Sequence, residues 1–219
     1  MPTLQEIMLN PVVNSFIRKG NEFLGAMGFT EHSDRHLELV SGIASNIIER
    51  LGYSQRESEL AAIAGYLHDI GNVVSRNDHG ISGAMIVYPI LSGMGMLPDE
   101  IAVVLSAIAN HEEQYGQPVN VVAAALILAD KSDVHRSRVR NTDFATFDIH
   151  DRVNYAAENA SVLVDTARRT ITMDLTIDIE ICPVMEYFEI FLTRMMLCRR
   201  AAAFLECNFE LIINGSKLL

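Results

Sequence analysis

The stretch that decides the fold is Leu60-Ala61-Ala62-Ile63-Ala64-Gly65-Tyr66-Leu67-His68-Asp69-Ile70-Gly71. Just before it, Ser54-Gln55-Arg56-Glu57 reads as a capping box, a helix start in which serine and glutamate satisfy free backbone N–H groups reciprocally. Leu60, Ile63, Ala64 and Leu67 recur at helical spacing, and Gly71 stops the helix. The small residues Ala61, Ala62, Ala64 and Gly65 let neighbouring helices approach closely. His68-Asp69 therefore ends an apolar helix. A carboxylate in such a place is costly unless it is paired, hydrogen-bonded or bound to a metal.

Helical patterning extends outward in both directions. Upstream, Leu4, Ile7 and Met8 open a short helix. A second follows Pro11, which suits a first turn. A third covers 34–51 through Leu37, Val40, Ala44, Ile47, Ile48 and Leu51, ended by Gly52. Downstream, His79 opens a helix expected to stop before Pro89, and Pro98-Asp99-Glu100 starts another that runs to about Asn110. Val119 to about Val134 is apolar almost all round, hence buried.

The character shifts after about residue 140. Ser161–Thr166 and Thr170–Asp178 alternate apolar and polar residues and read as a hairpin around Ala167-Arg168-Arg169. Pro183 to about Glu206 is a long amphipathic helix, and Phe209–Ile213 a third short strand. The expected fold is mainly α: a helical bundle over 1–150 and a small ββαβ appendage over 151–219. The wide apolar face of the late helix leads us to expect a structural role, as a possible homodimer contact.

A chain of 219 residues with 49% hydrophobic residues can bury a sizeable core. A net charge of −11 argues against binding polymeric nucleic acid or an anionic membrane surface. Cys182, Cys198 and Cys207 match no zinc pattern and read as buried free thiols. No basic n-region followed by an apolar stretch opens the chain, so the expected location is the cytoplasm.

Asp130 poses the problem of Asp69 again, because it follows a nearly unbroken apolar helix. Few cationic side chains stand near either acid in the sequence, and one metal ion would serve both. A salt bridge from Asp130 to Arg50 or Arg76 is the alternative. His36 lies beside the apolar stripe of the 34–51 helix. Imidazole and carboxylate together suit Fe, Mn, Zn, Co or Ni.

The order His36, His68-Asp69, Asp130 on successive helices, with Tyr66-Leu67-His68-Asp69-Ile70-Gly71 around its centre, resembles the HD-domain phosphohydrolases over about residues 30–140. His79-Gly80-Ile81-Ser82-Gly83-Ala84 and Asn110-His111-Glu112-Glu113 resemble segments of binuclear members, including the HD-GYP branch. The resemblance implies His36, His68 and Asp130 at one metal, His79 and His111 at a second, and Asp69 bridging them. It also implies attack on a phosphoester by a water that the metals activate. Lys131, Arg138 and Arg140 are then candidates to hold phosphate charge, and Glu112 and Asn72 to orient the water or leaving group. His32, four residues before His36, is expected to border the site without ligating.

Asn110 replaces the first of the branch's paired histidines, Asn72 stands where lysine is common, and Gly116-Gln117-Pro118 replaces Gly-Tyr-Pro. These departures favour a nucleotide or similar small phosphorylated substrate over a cyclic dinucleotide. The alternatives are a cyclic-dinucleotide phosphodiesterase, or a regulatory HD module that binds metal and nucleotide without turnover. A second pair, His150-Asp151, lies in a polar connection without an apolar helix before it and reads as separate from the metal site.

Overall fold

Local chemistry starts the helices where the sequence marks them. In the computed structural model, which describes residues 1–219, Thr3 and Glu6 form a capping box on α1 (Leu4–Met8). Asn10 caps α2 (Pro11–Ala26), which has proline in its first turn. α3 (Asp34–Arg50) gives way to Gly52, whose φ of +83° is the left-handed conformation that glycine adopts without strain. The Ser54/Glu57 box opens α4 (Gln55–Leu67). A 3-10 turn over Ile70–Val73 connects it to α5 (His79–Gly93), followed by α6 (Pro98–Ala109) and α7 (Val121–Ser132), the last capped by Asn120.

α7 is the hub. Every residue from Val122 to Ala129 is buried, and α3, α4, α6 and α9 (Val184–Phe204) pack around it. α3 and α4 approach so closely that a Cβ on Gly65 would lie 2.8 Å from the Ser41 Cα and 2.9 Å from its amide nitrogen. That approach brings His36 on α3 beside His68 at the end of α4.

α8 (Ile149–Ala156) leads into a four-stranded sheet of order β1-β2-β3-β4. β1 (Ala157–Asp165) pairs antiparallel with β2 (Thr170–Ile177), β2 pairs parallel with β3 (Asn208–Ile213), and β3 pairs antiparallel with β4 (Ser216–Lys217). α9 is the crossover that a parallel pair requires. Ile171, Met173, Leu175 and Ile177 alternate onto the buried face beside Phe209, Leu211 and Ile213.

Three expectations need correction. α5 runs through Pro89; that residue is on the exposed face, so water can take the carbonyl left without an N–H partner. The polar connection after residue 140 contains α8, which Asp148 caps and which buries Val153 and Ala156. The C-terminal unit has a fourth strand, β4, too short to carry a pattern. One continuous apolar cluster joins Leu126 and Ile127 of α7 to Phe191, Met195 and Cys198 of α9. Much of the wide face of α9 is thus covered within the chain, while Met185, Leu192 and Met196 remain exposed. The three cysteines are free and buried, and burial pushes the Cys198 thiol up to about 12. No helix is long and apolar enough to cross a membrane.

Candidate metal centre

Five helix ends converge on one point. His36 comes from the first turn of α3, His68 and Asp69 from the end of α4, His79 from the start of α5, His111 from just beyond α6 and Asp130 from the last turn of α7. All four histidines are 3% exposed or less.

Each imidazole is oriented through Nδ1. His68 Nδ1 donates to the Gly65 carbonyl at 2.8 Å, His79 Nδ1 to the Arg76 carbonyl at 3.0 Å and His111 Nδ1 to the Ile108 carbonyl at 2.6 Å. His36 Nδ1 lies 2.7 Å from Asp133 Oδ2. These bonds fix the tautomer and aim each Nε2 lone pair inward. The result is close pairs of like atoms: Nε2 to Nε2 is 3.3 Å for His36–His68 and 3.0 Å for His79–His111. Lone pairs held that close repel each other unless a cation, either a proton or a metal ion, sits between them.

The carboxylates complete the arrangement. Asp130 Oδ1 is 3.6 Å from both His36 Nε2 and His68 Nε2. Asp69 faces two ways, with Oδ2 3.3 Å from His68 Nε2 and 3.5 Å from His36 Nε2, and Oδ1 3.1 Å from His79 Nε2. Two overlapping ligand groups result, His36/His68/Asp130 and His68/Asp69/His111, with the donor atoms of each within 4.8 Å of one another. Asp69 Oδ2 is buried and has no hydrogen-bond partner. An orphaned carboxylate oxygen among converging imidazole nitrogens is an environment that a divalent cation satisfies and that the protein's own groups do not.

Without metal the centre is strongly polarised. Burial opposes a charge on His68, but Asp69 and Asp130 outweigh it and raise the imidazole to about 10. Burial would raise Asp69, yet His68 holds it well below the usual carboxylate range. His111 is pushed down to about 3 by burial and by the neighbouring His79 and His68.

Above the centre opens a cavity of about 540 Å3. Its walls carry Arg76, Lys131 and Arg138, all within eight residues of Asp69 or Asp130, and Arg194 brought in from α9. Lys131 Nζ lies 2.6 Å from Asp130 Oδ2 and 3.3 Å from Glu113 Oε1, and Arg194 Nε donates to the same Glu113 oxygen at 2.9 Å. Asp130 therefore pairs with Lys131, and not with Arg50 or Arg76. Burial opposes ionisation of Glu113, but Lys131 and Arg194 outweigh it and hold the group at about 2.

Arg138 is buried, donating to the Asp133 carbonyl at 2.7 Å and to His32 Nε2 at 3.1 Å. His32 borders the site, its Nε2 3.9 Å from Asp69 Oδ2. Glu112 lines the cavity, but its oxygens accept from the Gly80 amide at 2.8 Å and lie 3.3 Å from His79 Nδ1, so it orients His79.

Two residues read as substrate-binding stand elsewhere. Asn72 is buried and donates to Asp69 Oδ1 at 2.9 Å, steadying the carboxylate without lining the cavity. Arg140 is exposed and bonds to Asn21, away from the cavity.

Two functional side chains lie outside the sequence reading. Arg194 belongs to the C-terminal unit, which was expected to be structural only. Asp133 supports His36 and is itself gripped by Arg35 at 2.8 Å. Partners of this kind orient metal-ligating histidines and raise their basicity. Asp133→Asn is therefore expected to weaken metal binding by about 10–100-fold with little change in helix content. Competition with a metal-chelating dye, alongside circular dichroism, measures both quantities; unchanged affinity would remove Asp133 from the centre.

The fold and site define a class: a helical protein whose converging buried histidines and aspartates could hold a divalent metal beneath a cationic cavity. Residues 34–135 match the HD domain family, so this part of the chain is an HD domain, a type of domain found in metal-dependent phosphohydrolases. An uncharacterized protein of Methanocaldococcus jannaschii is 27% identical over 62% of this chain and 60% of its own length. The chain thus spans about 60% of the relative it matches.

Proposed function

We propose that the protein hydrolyses a phosphomonoester of a nucleotide or a similar small phosphorylated metabolite, using two divalent metal ions. The observation that carries this reading is the placement of Asp69. Its two oxygens face two histidine pairs, and one of those oxygens is otherwise unsatisfied. His36, His68 and Asp130 would hold one ion, and His79 and His111 the other. When bound, such ions lower the pKa of water from 15.7 towards about 7 and neutralise phosphoryl charge.

The chain's own residues do the rest. Arg138, Lys131 and Arg194 offer guanidinium and ammonium donors on the cavity wall, where a phosphate dianion would meet them. Asn72 and Asp133 hold ligands in place. His32, neutral at Nε2 and accepting from Arg138, stands within reach of a proton exchanged beside Asp69.

The test is a metal and substrate screen. Protein stripped with EDTA and reloaded separately with Mn, Fe, Co, Ni and Zn is assayed on p-nitrophenyl phosphate, nucleoside monophosphates and cyclic dinucleotides. Metal-dependent release of phosphate from the monoesters is expected. Metal binding without turnover of any ester would leave a regulatory module instead, and turnover of cyclic dinucleotides alone would replace the substrate class.

A further inference from the structure

The metal cavity does not end above the metals. A second chamber of about 530 Å3 continues from it, and Phe29, His32, Arg76, Arg138 and Arg194 line both. Much of its outer wall lies outside the matched HD domain: the loop after α2, the start of α8 and the middle of α9. The histidine-aspartate pair that reads as separate from the metal centre is here, on α8.

Charge is distributed unevenly along this joined space. The arginines of the second chamber, Arg76, Arg138 and Arg194, all stand on the boundary shared with the metal cavity. The far wall carries Asp148 and Asp151. Asp148 Oδ1 caps α8 by accepting from the Asp151 amide at 2.8 Å. Asp151 Oδ2 accepts from Asn141 at 3.2 Å, and its other oxygen has no hydrogen-bond partner in the chain. The lining also includes apolar side chains: Met27 and Phe29, 54% and 41% exposed, together with Ile190 and Phe191.

We propose that this second chamber is a specificity pocket for the alcohol half of the phosphoester, and that its occupant is an uncharged nucleoside. The proposal rests on the phosphohydrolase reading above. The phosphate lies among the boundary cations. A flat ring lies against Phe29, since aromatic faces suit offset stacking. Hydroxyl or amino donors meet Asp151, which can only accept hydrogen bonds when ionised. A second phosphate at the far end would face two carboxylates with no arginine or lysine on that wall, an arrangement that disfavours it. The C-terminal unit thus selects the substrate that the HD domain cleaves.

The test compares the four common nucleoside 5'-monophosphates with their 3',5'-bisphosphates, using metal-loaded wild type, Asp151→Asn and Asp151→Lys. Wild type is expected to favour the best monophosphate over its bisphosphate by at least about tenfold in kcat/KM. That ratio should narrow in Asp151→Asn and fall to about one or below in Asp151→Lys. Asp151→Asn keeps the side chain's shape and guards against misfolding of the lysine variant. Equal ratios in all three proteins, or a wild-type preference for bisphosphates, would overturn the proposal.

Calorimetric titration with non-hydrolysable nucleoside 5'-phosphonates and their 3'-phosphorylated forms reads the same ratio without turnover. Selective phosphonate binding by a protein that hydrolyses no ester would sink the hydrolase reading and keep the pocket. Absence of phosphonate binding would sink the pocket, even in an active phosphatase.

Discussion

Asp69→Ala is expected to abolish metal-dependent hydrolysis, with a loss of at least about 10,000-fold, while helix content stays near that of wild type. Asp69 is the one side chain whose oxygens face both histidine pairs, so its removal takes a carboxylate oxygen from each pair at once. Metal content should fall at both positions, whereas a change confined to His111 should spare the His36/His68/Asp130 group. Elemental analysis of gel-filtered protein gives the stoichiometry, and phosphate release gives the rate. Retention of full metal content and turnover by Asp69→Ala would refute the assignment of the centre.

The same centre sets a pH dependence. In metal-free protein His68 keeps its proton up to about 10, because Asp69 and Asp130 outweigh the burial that opposes the charge. The direction matters: a raised value means the imidazole is protonated at neutral pH, and a metal must displace that proton. Metal affinity should therefore fall by about tenfold for each unit that pH drops below this value.

Gly71→Ala is expected to be the most damaging single-methyl change in the chain. A Cβ at this position would strike the His79 carbonyl oxygen and sit 2.6 Å from the Gly83 amide nitrogen and 2.7 Å from Ser82 Oγ. The first two obstacles are backbone, which cannot rotate aside. Relief requires α5 to move away from the end of α4, carrying His79 off Asp69 Oδ1. A cost above about 3 kcal/mol follows from overpacking alone, a large share of the stability of an ordinary domain. Thermal denaturation should show a clear fall in Tm, and metal content should drop in whatever protein remains folded. A Tm within a degree of wild type would show that the α4–α5 junction is looser than these contacts require.

How much of this was legible beforehand depends on the residue. His68 and Asp69 announce themselves, because a carboxylate after an apolar helix has few acceptable fates. Helix starts at Ser54 and Pro98 follow from capping chemistry that operates within four residues. The supporting groups are different. Nothing local separates Asp133, which grips His36 from across the bundle, from any other acid near a helix end. Arg194 is hidden for the same reason: its partner Glu113 stands 81 positions away. Only the packing of α9 on α7 brings the two together. The start of α8 does carry a signal, Ile149, Val153 and Ala156 at helical spacing behind Asp148, but one short run amid polar residues is easily read as connection. Asn72 and Arg140 mark a further limit, since a motif fixes a residue's position along the chain and not which way its side chain leaves the backbone.

The parallel pairing of β2 with β3 bears on the order in which the protein can come into being. That pair closes only after the intervening α9 has been made and residues 208–213 have joined the sheet. The HD helices, by contrast, make most of their contacts among themselves and are synthesised earlier. A polypeptide still on the ribosome at residue 180 can already hold every metal ligand, yet it lacks Arg194 and the α9 wall of the second chamber. Bringing distant strands together is slow relative to local helix formation. Such a nascent chain would carry the metal chemistry before it carries the means of choosing a substrate, and selectivity would be the last property the protein acquires during its own synthesis.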